Sequence, residues 1–223
     1  MQPDMVPPRI IQRMSGIRGQ ADLPGRLSHT EERALIERAL NGCEECARRL
    51  IDAHKDRLFA FVGRIIRDHH DVEEICQEAF LRAFANLQTF SAEYRFSTWL
   101  FTIGYRLCLN HLRRKQAVTG EMEFSTLAAV QADGPDEVAG SEEAARLRSL
   151  VWEAVDELNP TQKAAVLLFY REGRSCQEIS EVLNMPTATV KSHLHRARQR
   201  LREKLEPVIA EDWSRLDLLH RSA

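Results

Sequence analysis

The stretch "SCQEISEVLNMPTATVKSHLHRARQRL", residues 175–201, decides how this chain is read. Ser175 and Glu178 stand three apart, the spacing of a capping box that opens a helix. Ile179, Val182 and Leu183 give that short helix one apolar face. Asn184 tolerates the left-handed conformation that ends a helix, and Pro186 keeps the helix from continuing. A second helix follows, with Val190 and Leu194 placed to pack against the first. Helix, tight turn and helix together form a helix-turn-helix pattern. In that motif the first residues of the second helix reach base edges in the major groove. Here they are Thr187, Ala188, Thr189, Lys191 and Ser192. Arg196, Arg198, Arg200 and Lys204 lie further along, where they reach phosphates or coat the helix.

Upstream, Leu150, Val151, Ala154, Val155 and Leu158 form another apolar face. Asn159, Pro160 and Gln162 then read as a helix start, and the helix through "KAAVLLFYRE" stops at Gly173. These elements define a domain over residues 144–206, with 207–223 as a tail. Residues 117–143 carry seven acidic residues and no Lys or Arg, with glycines and Pro135 breaking any period. They read as a flexible acidic linker.

Before the linker, helical spacing dominates residues 28–116. Ser28 and Glu31 form a capping box. Apolar stripes follow at Leu35, Ile36, Ala39 and Leu40, then Leu50, Leu58, Phe61, Val62, Ile65 and Ile66. A further stripe runs through Val72, Ile75, Ala79, Phe80, Ala83, Phe84 and Leu87. "DHHD" at 68–71 reads as a turn. Residues 87–98 interrupt the pattern, and "WLFTIGYRLCLNHLRRK" (99–115) resumes it. The fold class expected is all-α: a bundle of about four helices, a linker and a second small helical domain. Residues 1–27, with four prolines and three glycines, read as an N-terminal arm.

The interruption gathers Phe90, Tyr94, Phe96 and Trp99 just before a helix bearing Arg106, Asn110, Arg113, Arg114 and Lys115. Aromatic faces stack on unpaired bases while cations hold the backbone, so this pattern suits single-stranded or melting DNA. The same aromatics also fit a core, since Phe96, Trp99, Leu100, Ile103 and Leu107 follow helical spacing.

Composition bounds the rest. The chain has 223 residues, a formal net charge of −2 and 29% charged residues. No apolar run approaches the ~20 residues that cross a bilayer, and the N-terminus lacks the apolar core of a signal peptide, so a cytoplasmic protein without membrane insertion is expected. Five scattered cysteines argue against a secreted disulfide framework. Cys43 and Cys46 form a lone C-x-x-C, without the second pair that a closed zinc site needs. No phosphate-binding glycine loop, metal-ligand set or partnered nucleophile is visible. The expectation is a non-enzyme with no cofactor and no metal.

Two stretches resemble the extracytoplasmic-function sigma factors of bacterial RNA polymerase. "DVEEICQEAFLRAFANLQTF…FSTWLFTIGYRLCLNHLRRK" is similar to the family's region two. "LNPTQKAAVLLFYREGRSCQEISEVLNMPTATVKSHLHRARQRLREKL" is similar to region four. The resemblance implies roles. Asp71, Glu74, Gln77 and Glu78 would bind the clamp helices of the polymerase β′ subunit. Phe90, Ser91 and Glu93 would capture a flipped base of the minus-ten element. Thr98, Trp99, Arg106, Asn110, Arg113 and Arg114 would engage the minus-ten strand and its upstream edge. Ser175, Thr187, Ala188, Thr189, Lys191, Ser192 and Arg196 would read the minus-thirty-five element, while apolar surfaces of region four grip the β flap. The linker's carboxylates would imitate nucleic-acid charge inside the polymerase, and an anti-sigma factor would cover the polymerase-binding faces. The sequence departs from the family's usual residues at Ala188 (commonly Gly), His193 (commonly basic), Ser97 (often Arg), and Gly104 and Cys108 (frequently Ala). Two other readings stand beside this one: an ordinary two-domain transcription regulator, and a zinc or thiol sensor built on Cys43 and Cys46.

Overall fold

The computed structural model describes residues 27–91, 94–119 and 142–221, with backbone alone over 118–119, 142–145, 147–148 and 207–221. Every regular element among them is helical. Helix α1 (His29–Leu40) starts as its sequence dictates. Ser28 Oγ accepts from the Glu31 backbone N–H at 3.2 Å, and the Glu31 carboxylate accepts from the Ser28 N–H at 2.8 Å. Helix α2 (Glu44–Ile65) is the centre of the first bundle and buries Leu50, Leu58, Phe61, Val62 and Ile65. Helix α3 (His69–Ala85) begins earlier than expected. "DHHD" is not a turn: Asp68 alone is the cap, its Oδ1 accepting from the Asp71 N–H at 3.1 Å, and both histidines are already helical. A side-chain oxygen at the N-cap satisfies an orphan backbone donor, so the connection needs no more residues.

A single 3-10 turn (Leu87–Thr89) leads to the aromatic loop, and helix α4 (Phe96–Thr119) closes the bundle. It starts three residues before Trp99 because Phe96 already points inward. Phe96, Leu100, Phe101, Tyr105 and Cys108 are all buried. Phe101 meets Phe61 of α2 edge to face, with ring centroids 5.0 Å apart. Gly104 explains one departure from the family. A Cβ there would lie 3.0 Å from Leu58 Cδ1, so the missing side chain lets α4 lie close against α2.

The second domain comprises α5 (Glu142–Asp156), α6 (Pro160–Val166), α7 (Cys176–Leu183) and α8 (Thr187–Arg221). Asn159 Oδ1 caps α6 by accepting from the Gln162 N–H at 2.9 Å. Gln162 faces inward instead, where its Oε1 accepts from Arg200 at 3.5 Å. A π-turn (Leu167–Arg171) prolongs α6, and Gly173 at φ +66° ends it. This wider exit turns Glu172 and Arg174 into the interior. Helix α8 continues past the expected domain edge at 206, through Pro207, to Arg221.

The two domains close on each other, α4 against α7 and α2 against α6, and their apolar residues join one core. Polar groups cross the seam. Arg57 on α2 pairs with Glu172. Arg64 pairs with Asp156 at 3.3 Å and lies 4.0 Å over the Trp152 ring. Arg174 donates to Ser97 Oγ, and Tyr105 Oη donates to Thr161 Oγ1 at 3.3 Å. Burying such charges is tolerable only because each finds a partner. Burial pulls the Lys163 ammonium and the Arg174 guanidinium below their ordinary values, opposed by Asp156 and Glu178 respectively.

Candidate nucleic-acid interface

The helix-turn-helix forms as read. Ser175 Oγ and Glu178 complete the box at the start of α7. Asn184 adopts φ +51°, and the Met185 N–H reaches back to the Ser180 carbonyl at 3.1 Å. The Pro186 carbonyl accepts from the Thr189 and Val190 N–H groups at 2.8 and 3.1 Å and so starts α8. Ile179, Val182 and Leu183 of α7 are buried, as are Val190, Leu194, Ala197, Leu201 and Leu205 of α8.

That packing decides what the opposite face presents. Ala188, Thr189, Lys191, Ser192 and Arg196 are exposed, Thr187 is half-buried, and Ser175 is exposed on the neighbouring helix. Thr187 Oγ1 donates to Gln177 Oε1 at 3.1 Å, bridging the two helices at this face. Gln177 is exposed there beside Ser175 and is absent from the residues that the sequence points to. Ser192 Oγ donates to the Ala188 carbonyl at 3.0 Å. His193 is half-buried, with its Nδ1 buried and unpartnered among the described residues. Burial, and then the nearby Arg196, hold its imidazole below the usual value.

The basic run divides into two sets. Arg198 donates to Tyr170 Oη at 2.7 Å and stacks over the Phe169 and Tyr170 rings. Arg200 reaches Gln162, and Lys204 pairs with Glu157. Arg198 is half-buried and braces α8 on its own domain, while Arg200 and Lys204 make their contacts and stay exposed.

On the first domain, α4 carries Arg106, Asn110, Arg113 and Arg114 exposed along its outer side at helical spacing. At its start the aromatics sort themselves. Phe96 is fully buried core. Phe90 and Trp99 are half-buried, their ring centroids 5.4 Å apart, and both rest on Phe96. Ser91 and Tyr94 are exposed beside them. Thr98 requires a correction. It is 4% exposed, with a buried hydroxyl that has no hydrogen-bond partner among the described residues, so it does not face DNA in this arrangement. Glu93 lies outside the described residues, as do the arm over 1–26, the linker over 120–141 and the tail side chains of Trp213, Leu216, Leu218 and Leu219.

Ser97 is also buried, and the Arg174 guanidinium from the other domain meets its hydroxyl. An arginine at position 97, frequent in the family, would set two guanidiniums against each other here.

A third surface lies on α3. Glu74 and Gln77 are exposed, and Asp71 and Glu78 are half-buried. Asp71 Oδ2 lies 3.2 Å from His111 Nε2 and ties α3 to α4, while Glu78 Oε1 accepts from Arg82 Nε at 2.6 Å. Leu81, 66% exposed, stands one turn beyond Gln77 and Glu78. Sequence reasoning missed it, although the signal was present: it is an apolar residue that falls off the buried stripe. Among the described residues no helix is long and apolar enough to cross a membrane.

Comparison with known proteins agrees with this geometry. The family model of Sigma-70 region 2 matches residues 50–118, and that of Sigma-70, region 4 matches residues 148–201. The ECF RNA polymerase sigma factor SigW of Bacillus subtilis is 30% identical over 179 residues, covering 76% of this chain and 94% of SigW. The ECF RNA polymerase sigma-E factor of Escherichia coli K12 is 28% identical over 187 residues, covering 80% and 96%. Two solved structures share the fold. The sigma factor RpoE of Bartonella quintana, in complex with the anti-sigma factor NepR, has TM-score 0.58 at 21% identity and covers 71% of this chain and 96% of that one. CnrH, in complex with the cytosolic domain of CnrY, has TM-score 0.56 at 22% identity, covering 79% and 98%.

Two helical domains with these regions in this order define a transcription initiation factor of the sigma-70 type. More narrowly, the chain belongs to the extracytoplasmic-function (ECF) sigma factors. It acts in promoter-specific initiation by RNA polymerase and is not itself an enzyme. This overturns the reading of an ordinary two-domain regulator.

Proposed function

We propose that the three surfaces divide the work of initiation. The exposed start of α8, with Ser175 and Gln177, reads the upstream minus-thirty-five duplex. Lys191 and Arg196 supply charge there, and Thr187, Ala188, Thr189 and Ser192 meet the bases. Arg106, Asn110, Arg113 and Arg114 on α4 follow the minus-ten strand, and Phe90 and Trp99 with Ser91 and Glu93 receive an unstacked base. The polar face of α3 (Asp71, Glu74, Gln77 and Glu78, now with Leu81) docks on the β′ clamp helices, and the apolar surface of the second domain on the β flap. Residues 28–116 and 144–206 are the two working domains, and the acidic linker between them meets basic walls of the polymerase. An anti-sigma factor, the kind of partner that the Bartonella quintana relative is bound to, covers the polymerase-binding faces, and the protein works in the cytoplasm.

The observation that carries this reading is the sorting of cations. Arg106, Arg113 and Arg114 on α4 and Lys191 and Arg196 at the start of α8 are exposed, whereas Arg198 is half-buried and held by Tyr170.

The closed arrangement must open for this work. The two promoter elements are centred about 25 base pairs apart, or about 85 Å at ~3.4 Å per base pair. Yet Arg174, the neighbour of Ser175, touches Ser97 at the start of α4. The closed form therefore cannot seat both elements at once. The chain joining Thr119 to Glu142 has the contour length, at about 3.5 Å per residue, to allow most of that separation.

Asn110→Ala tests the minus-ten assignment. Permanganate footprinting of the polymerase complex is expected to show strand opening reduced more than initial docking. Normal opening with impaired docking would refute the assignment.

A further inference from the structure

Promoter recognition makes no use of Cys43 and Cys46, yet the fold arranges them with care. Gly42, at φ +86°, turns the chain out of α1. Cys43 then takes the N-cap of α2, and its Sγ accepts from the Cys46 backbone N–H at 3.3 Å. The two sulfur atoms lie 2.6 Å apart, in direct contact with no atom between them.

The pair is asymmetric. Cys46 is 3% exposed, whereas Cys43 is half-buried and open to solvent on one side. The hydrogen bond with Cys46, then the Cys46 backbone N–H, hold the Cys43 thiol below its ordinary range, and Arg38 in the last turn of α1 adds to this. The hydrogen bond with Cys43, together with burial, pushes the Cys46 thiol up. A thiolate at a helix N-terminus within a C-x-x-C pair is the arrangement that makes a cysteine nucleophilic. The core cysteines differ. Burial pushes Cys76 up to about 12 and Cys108 higher still. A metal centre does not fit, because no group of three or more His, Cys, Asp or Glu among the described residues is placed to hold one.

We propose that Cys43 and Cys46 form a dithiol–disulfide couple whose substrate is a low-molecular-weight disulfide of the glutathione type, with Cys43 as the attacking sulfur. The Cys43 thiolate attacks one sulfur of the substrate, breaks its S–S bond and releases one thiolate, which takes up a proton from water. Cys46 then gives its proton to solvent and attacks the Cys43 sulfur, forming the internal disulfide and expelling the second thiolate, which is protonated in turn. Two protein thiols are oxidised and one disulfide is reduced to two thiols, with no other reactant. The couple sits where α1 meets α2, and α1 in turn packs on the Leu87–Thr89 turn before the aromatic loop.

The test uses the purified full-length protein, equilibrated across a series of reduced-to-oxidised glutathione ratios, quenched with acid, alkylated and mapped by peptide mass. The expected result is one two-electron transition in which the peptide holding Cys43 and Cys46 loses two hydrogens, while Cys76 and Cys108 stay reduced. The Cys46→Ser variant is expected to retain one glutathione on Cys43, and Cys43→Ser to leave Cys46 unmodified. The inference fails if both thiols remain alkylatable at the most oxidising ratio, if Cys43→Ser instead traps glutathione on Cys46, or if the protein carries one equivalent of zinc.

Discussion

Replacing Arg57 with methionine loosens the closed arrangement. Arg57 is the first domain's partner for Glu172, and the two side chains are 22% and 3% exposed. Breaking a fully buried pair costs about 3–5 kcal/mol. Water reaches the Arg57 side, so the lower range for a charged hydrogen bond applies, about 1.5–3 kcal/mol. Methionine keeps the aliphatic packing of the arginine stem near the Phe101 ring, and the loss falls mainly on the ion pair. At about 1.4 kcal/mol per factor of ten, the open population rises roughly 10- to 100-fold. Hydrogen exchange followed by mass spectrometry on the intact chain reads this change. Exchange across residues 167–179, which form the second domain's side of the seam, is expected to accelerate by that factor while α3 keeps its wild-type rates. Arg48→Met, which removes an exposed pair with Glu45 within α2, serves as the control and leaves both regions unchanged. Unaltered exchange at 167–179, or equal acceleration in α3, would refute the idea that this pair holds the domains together.

Three further outcomes follow from the same geometry. Lys191→Ala weakens binding to upstream duplex about equally across sequences, and the salt dependence of log K falls by about one, measured by fluorescence anisotropy over a salt series. Leu81→Asp reduces affinity for core polymerase about tenfold or more in a pull-down titration, with a melting temperature within a degree or two of wild type, because an exposed apolar side chain contributes little to the fold. Alkylation of the native protein at pH 8 leaves Cys76 unmodified, because burial holds its thiol up at about 12 and almost no thiolate forms. Rapid modification of Cys76 without unfolding would place it outside the core.

Much of this architecture is local and therefore legible in the chain. Capping boxes at Ser28 and Ser175, the Asn159–Pro160 start and the left-handed stop at Asn184 act within a few residues, and each holds in the structure. What escaped depends on packing between segments distant in sequence. Phe96 and Trp99 share a helical stripe, but only the proximity of Phe84, His54 and Phe90 makes Phe96 core and leaves Trp99 half-exposed. Thr98 reads as a polar residue on a nucleic-acid helix, and the folded packing buries it. Arg198, Arg200 and Lys204 look equivalent to Lys191 by charge. Their partners Tyr170, Gln162 and Glu157 come from elsewhere in the chain, and of the three only Arg198 is drawn into a half-buried place. Closure of the two domains was not visible at all, since a buried pair such as Arg57 and Glu172 has no local signature.

The most direct test of the account is run-off transcription with core polymerase over a promoter library, comparing the wild-type chain with a variant carrying Lys191→Ala and Asn110→Ala. The wild type is expected to start transcripts from a small set of sequences that share two separated elements, and the double variant to lose them while still binding core enzyme. Failure of the wild type to bind core, or to start a transcript from any sequence, would contradict it.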